Sequence, residues 1–226
     1  MGVVRSCAVL VALGVDWEGR RQILAVEFAN RESRSSWTDF LVELKARGLH
    51  GVEYIVADDH AGLCAAVREV LPDAWFQRCY AHFMRNALDH LARKADDDCL
   101  QELRWIYDCR ALSKAMSDLA AWLKKWSPRY PRLTEWAEES IEETFTFSRL
   151  PLQHHKHMKS TNMLERFNEE IKRRTIILRI FPNEESCLRL IWALAVETHE
   201  NWLEANRYLN MSDLKEMKKT ELRQAA

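Results

Sequence analysis

The strongest constraint on this chain is a change of pattern near residue 80. Before it, short apolar runs at 6–16 (SCAVLVALGVD), 21–29 (RQILAVEFA), 52–59 (VEYIVADD) and 74–79 (AWFQRC) read as strands. Helical periods separate the later ones. Over 33–48, Trp37, Phe40, Leu41 and Leu44 share one side and Gly48 is a natural stop; a second helix runs from His60 to Pro72. From about 81 to 145 the strand signal is absent and only helical periods remain, followed by a basic connection and two helices near 161–175 and 184–206. The WEGR turn makes the first two strands an antiparallel hairpin, whereas strands separated by helices pair by parallel crossovers. The expected class is therefore α/β, a mixed sheet interrupted by a large all-helical insertion. The expected divisions are 1–80 for the first part of the core, 81–156 for the helical insertion, 157–210 for the helices that complete the core, and 211–226 for a flexible polar tail.

Composition excludes some classes. No apolar run approaches the ~20 residues that span a bilayer. Six scattered cysteines form no paired framework and read as reduced cytosolic thiols. Nine tryptophans are expected mostly in the core. Net charge is −1, but residues 149–179 hold eight Lys or Arg against three Glu, a local +5. One basic patch on a neutral chain is either a nucleic-acid footprint or a solvated face balanced by the acidic stretches at 96–102 and 135–143.

Three places could carry chemistry. Asp58 and Asp59 end the third strand, where functional side chains of open α/β sheets gather. One of them could equally cap the following helix, with Asp58 outward and Asp59 as the cap. Glu165 stands three residues after Asn162, the spacing of a capping box, yet helical geometry also puts it in a face surrounded by Arg166, Lys172, Arg173 and Arg174. A carboxylate in such a face suits a hard divalent cation lying between it and a phosphate. Leu164, Phe167 and Ile171 form the inward stripe of the same helix. Cys79-x-x-His82 is half of a zinc site, with no second pair at suitable spacing.

Taken together and in order, VADDHAGL (56–63), WFQRCYAHFMRN (75–86) and STNMLERFNEEIKRRT…RIFPN (160–183) resemble the mutator-type transposases of bacterial insertion sequences. The resemblance runs from about residue 5 to 210. It implies a ribonuclease-H-like core with a helical insertion before the last acidic residue. It also implies a DDE set of three carboxylates holding two divalent ions, Mg²⁺ or Mn²⁺, that activate water and then a DNA 3′-hydroxyl for attack on phosphodiesters. Asp58 matches the second carboxylate and Glu165 the third, 107 residues later; Cys79 and His82 match the family's C-x-x-H signature. Asn162, Arg166, Lys172, Arg173 and Arg174 become candidate DNA contacts.

The sequence departs from the family in three ways. The family's first aspartate lies on a strand before SCAVLVALGV, and Asp16, at the hairpin turn, is no substitute. The family's N-terminal helix-turn-helix-like DNA-binding region has no match here. Met163 stands where the family usually has Pro. The expectation is a C-terminal piece of a transposase catalytic core, with little strand transfer of its own. The alternative is a non-catalytic DNA-binding or inhibitory subunit. Expected partners are element-end and target DNA, and either further copies or full-length transposase, with no membrane. The expected location is the bacterial cytoplasm, at the nucleoid when bound to DNA.

Overall fold

The computed structural model describes residues 7–91, 97–178 and 180–224. In chain order the elements are β1 (Ala8–Val15), β2 (Arg21–Ala29), α1 (Arg34–Ala46), β3 (Tyr54–Ala57), α2 (Ala61–Val70), β4 (Trp75–Arg78), α3 (Tyr80–Ala87), α4 (Asp97–Ile106), α5 (Leu112–Trp126), α6 (Pro131–Ser140), α7 (His155–Met158), α8 (Asn162–Leu178), α9 (Glu184–Glu204) and α10 (Ser212–Gln224). Short 3-10 turns lie at 88–90, 142–144, 146–149 and 152–154. All four expected strands form. Within the helical block expected from about 81 to 145, α4 and α5 are separate helices, and the polar stretch after 210 carries a helix, α10. Arg179, the last cation of the basic stretch, lies outside the described residues.

Two compact units divide the chain. One takes the described residues of 1–52, 60–72 and 162–226; the other takes 53–59 and 73–161. Hydrogen bonds join the strands as two two-stranded sheets, β1 with β2 antiparallel and β3 with β4 parallel. The expected single mixed sheet is corrected accordingly, because β3 and β4 belong to the unit built from the helical block.

In the first unit, β1 and β2 pair from Ala8 with Ala29 to Val15 with Arg21, and a bulge after Ala12 skips Leu24. Alternation along β2 puts Val26 into a core with Phe167 and Ile171 of α8 and Ile191 and Ala195 of α9. The stripe read in α8 therefore does bury its Phe and Ile. α1 begins with Ser33, whose side chain accepts from the Ser36 N–H, and buries Phe40, Leu41 and Leu44 as its period requires.

In the second unit, Phe83, Leu103, Tyr107, Trp122, Leu133 and Phe145 belong to one buried cluster. Each apolar side chain removed from water there contributes roughly 1.5–3 kcal/mol. Of the nine tryptophans, only Trp122 and Trp126 are buried, while Trp75, Trp105 and Trp192 are exposed. The core expectation for this residue type is thus corrected. Indole is amphipathic, and Trp17, Trp37, Trp136 and Trp202 are half-buried.

Burial pushes the Tyr54 and Tyr107 phenols well above their ordinary range. Tyr107 sits among apolar side chains, with its hydroxyl 2.7 Å from Thr144 Oγ1. A raised pKa means that the fold favours the protonated phenol. This stability is complete below the unfolded value near 10 and is lost as pH rises toward the folded values. Far-UV ellipticity is expected to hold from pH 7 to about 9 and to fall above about pH 10–11, with tyrosinate absorbance rising in the same step. The double variant Y54F/Y107F should move that step to higher pH; an unmoved step would assign it to other groups.

Candidate functional site

β3 and β4 run parallel, with Ala57 opposite Arg78, so their carboxyl ends present Asp58, Asp59 and Cys79 together. The Cys79 N–H donates to Ala57 O at 2.7 Å, which extends the ladder one step past the strands. Asp58 is about half exposed. Its Oδ1 accepts from the Asp59 N–H at 2.7 Å, and its Oδ2 lies 3.7 Å from Nε2 of His82. His82 reaches that place because it is on the first turn of α3.

The structure treats the two aspartates differently. Asp59 does not take the capping role that the sequence left open for it. His60 holds that position and accepts from the Leu63 N–H through Nδ1. Asp59 instead pairs with Arg78, Nη2 to Oδ2 at 2.9 Å. Arg78 and the neighbouring Gln77 were not read as site or core residues. Their one sequence signal is two long polar side chains inside an otherwise apolar strand.

Cys79 is fully buried. Its sulfur accepts from both the N–H and the hydroxyl of Thr161, at 3.3 and 3.2 Å. The Tyr80 N–H donates to Lys159 O, and the Tyr54 hydroxyl is shared between Met158 O and Gln77 Oε1. Residues 158–161 are thus tied to β3, β4 and α3 immediately before α8 begins. The C-x-x-H pair therefore divides its work, with the thiol holding the chain that enters α8 and the imidazole facing Asp58.

In the first unit, Glu165 lies in the first turn of α8. Asn162 is the first residue inside this helix, not the residue before it, so Glu165 falls one position past that of a capping box. Arg166 is exposed, and its charge joins burial and Tyr208 in setting the Arg21 guanidinium, burial being the larger effect and lowering its pKa. Arg173 holds Glu170 through Nε and Nη2 at 2.9 and 2.8 Å, and Arg174 adds Nε at 2.9 Å. These hydrogen bonds, that from Arg173 foremost, keep the Glu170 carboxyl below its ordinary range. Lys172 is exposed beside them. Asp58 and Glu165 fall in different units, and each is placed here within its own.

Of these side chains, the two carboxylates are hard oxygen donors of the kind Mg²⁺ and Mn²⁺ prefer. The Asp58 oxygens are held by a strand end yet open to solvent, which fits such an ion. The Cys79 thiol does not fit, since it is soft, buried and occupied by Thr161.

The described residues thus place exposed cations along α8 and a half-exposed carboxylate at the end of β3. Residues 1–205 match the family model for transposases of the Mutator family, and the chain belongs to that family. It is 73% identical over 225 residues to the transposase for insertion sequence element ISRM5 of Rhizobium meliloti, covering 100% of this chain and 56% of that protein. It is 42% identical over 212 residues to the IS406 transposase of Burkholderia multivorans, covering 93% and 55%. Against the IS256 transposase of transposon Tn4001 from Staphylococcus aureus it is 32% identical over 209 residues, covering 91% and 53%. The chain spans about half the length of these curated relatives. Among the described residues, no helix is long and apolar enough to cross a membrane.

Proposed function

We propose that this chain supplies part of the catalytic core of an insertion-sequence transposase, with Asp58 and Glu165 as two of three carboxylates in a ribonuclease-H-like arrangement. Element ends and target DNA are the proposed substrates. The observation that carries this reading is the setting of Asp58, a half-exposed carboxylate at the end of a β-strand, oriented by its neighbour's N–H, in a chain of this family. Divalent ions bound by Asp58 and Glu165 would activate water or a 3′-hydroxyl and stabilise charge in phosphodiester attack. The chain's own residues orient and bind. β3 holds the Asp58 oxygens, Thr161 on Cys79 fixes the entry to α8, and Asn162, Arg166, Lys172, Arg173 and Arg174 hold the DNA backbone. Such contacts give affinity and register rather than base selection. The Glu170 pairs do not oppose this role, because exposed ion pairs contribute little and exchange readily for phosphate.

A second reading is a DNA-binding or inhibitory subunit that joins full-length transposase, which the exposed Arg166 and Lys172 of α8 would serve equally well. Both readings predict salt-dependent DNA binding. The triple variant K172Q/R173Q/R174Q should flatten the slope of log K against log salt by about 2–3.

Mn²⁺ titration followed by NMR tests the metal reading. Paramagnetic broadening should reach residues around both Asp58 and Glu165, and either Asp58→Asn or Glu165→Gln should weaken it at both places. Broadening confined to one carboxylate, or unchanged at Asp58 when Glu165 is replaced, would remove the shared site. Mg²⁺-dependent cutting of element ends by this chain would favour the catalytic reading over the binding one.

A further inference from the structure

Two adjacent carboxylates close β3, and nothing in their chemistry says which one is presented for use. The geometry separates them through Arg78. This residue ends β4 opposite Ala57, and its side chain is only 4% exposed, unusual for a guanidinium. Its Cζ lies 5.3 Å from the centre of the Phe83 ring and 5.5 Å from that of Trp136. The two rings stack on each other with centroids 4.6 Å apart. Among the described residues, the buried Nε–H meets no acceptor. The cation is therefore held by aromatic faces and by Asp59, whose Oδ2 lies 2.9 Å from Nη2.

Stability alone is a poor reason for such a pair. Replacing a buried ion pair by well-packed apolar groups is often neutral or stabilising. A methionine could fill the space beside Phe83 and Trp136. What it could not do is hold Asp59. The Asp59 peptide N–H donates to Asp58 Oδ1 at 2.7 Å, which leaves Oδ2 on the His82 side, 3.7 Å from Nε2. Fixing the Asp59 side chain fixes the peptide that carries this N–H.

We propose that Arg78 is a positioning residue: by clamping Asp59 it orients the Asp58 carboxylate, and so selects Asp58 over its neighbour as the oxygen ligand offered by β3. The selection works through charge as well as direction, since Asp59 is neutralised by a cation that water barely reaches. Lysine cannot substitute fully, because a point charge on a flexible stem lacks the planar group that faces both rings while pairing with a carboxylate. The proposal rests on the reading of Asp58 as a metal ligand, and the test separates the two.

The test compares the whole chain with R78M/D59N, which leaves net charge unchanged, with Asp59→Asn alone, and with Arg78→Lys. Asp58→Ala identifies the signal, because it removes the acceptor. The first readout is hydrogen exchange at the residue-59 amide in metal-free protein, measured against the amides of β3 and β4. It should become about tenfold faster in R78M/D59N and in Asp59→Asn, as in Asp58→Ala, while the strand amides keep their rates. Arg78→Lys should fall between. The second readout is Mn²⁺ affinity from paramagnetic broadening, expected to drop about tenfold in the same two variants, the usual scale for a residue that orients a ligand. A folded R78M/D59N that keeps the wild-type residue-59 rate and Mn²⁺ affinity within about twofold overturns the proposal. Should that variant fail to fold, Asp59→Asn decides by the same criteria. If the wild-type chain binds no Mn²⁺, the ligand reading fails, and the exchange rate at residue 59 still decides whether Arg78 orients Asp58.

Discussion

Replacing Gln77 by leucine is expected to destabilise the second unit by about 3–5 kcal/mol, from the desolvation cost of the polar groups left without partners. Gln77 is fully buried in β4, and its amide is used completely. Nε2 donates to Thr144 O and Arg78 O, both at 2.7 Å. Oε1 accepts from the Phe147 N–H at 2.7 Å and from the Tyr54 hydroxyl at 3.2 Å. Two donors and two acceptors exhaust what an amide offers. Leucine keeps an apolar side chain of similar bulk but strands the Phe147 N–H and the Thr144 and Arg78 carbonyls in a dry interior. The Tyr54 hydroxyl can still turn to Met158 O, so it adds little. Against a typical total of 5–15 kcal/mol, the loss is large. Urea unfolding followed by tryptophan fluorescence should show the midpoint falling steeply. Gln77→Glu should be no better, because a carboxylate cannot donate to the two carbonyls. A Q77L midpoint within the equivalent of about 1 kcal/mol of wild type would mean that water or rearrangement replaces the network.

Gln77 also shows where sequence reading stops. The strands were legible because an apolar run of four to nine residues bounded by turns has few other solutions. β2 appears over the expected residues 21–29, and the Phe40, Leu41 and Leu44 stripe of α1 is buried as read. Gln77 finds its partners 67 and 70 residues away, in 3-10 turns that carry no periodic signal. Nothing local says that a glutamine in a strand is a buried tie rather than an edge residue. The same holds for Arg78, whose ring partners lie on α3 and α6. Asp58 was legible as a strand-end carboxylate. The role of Asp59 was not, because helix-capping rules favour Asp over His at the position before α2, whereas a buried guanidinium takes the Asp. Tertiary charge pairing overrode local preference.

The second large effect is expected at Gly19, the tight point of the β1–β2 hairpin. Asp16 organises this turn. Burial pushes its carboxyl up, but hydrogen bonds from the Arg20 N–H, the Gln22 amide and the Glu18 N–H outweigh that and hold it below the ordinary value. The Gly19 N–H donates to Asp16 O at 2.8 Å, and the Gly19 carbonyl accepts from the N–H groups of Tyr208 and Leu209. Gly19 has φ +76°, where a side chain is unfavourable, and a Cβ there would stand 1.9 Å from Leu209 O. Because that oxygen is backbone, no rotamer change relieves the overlap, and the 208–209 segment must leave the turn. That segment is also held by Arg21, whose guanidinium lies 4.7 Å from the Trp202 ring and 5.0 Å from the Tyr208 ring, and by Arg20 Nη1 on Leu203 O at 2.7 Å. Gly19→Ala should therefore destabilise the first unit by about 2–4 kcal/mol, combining left-handed strain with lost hydrogen bonds. It should also release residues 205–224 before the hairpin itself opens. Hydrogen exchange resolved by peptide should show faster exchange across α10 and residues 208–209, with β1 and β2 less affected. Wild-type stability in this variant, or exchange that rises uniformly through the unit, would show that the contact between turn and C-terminal segment is not what holds that segment in place.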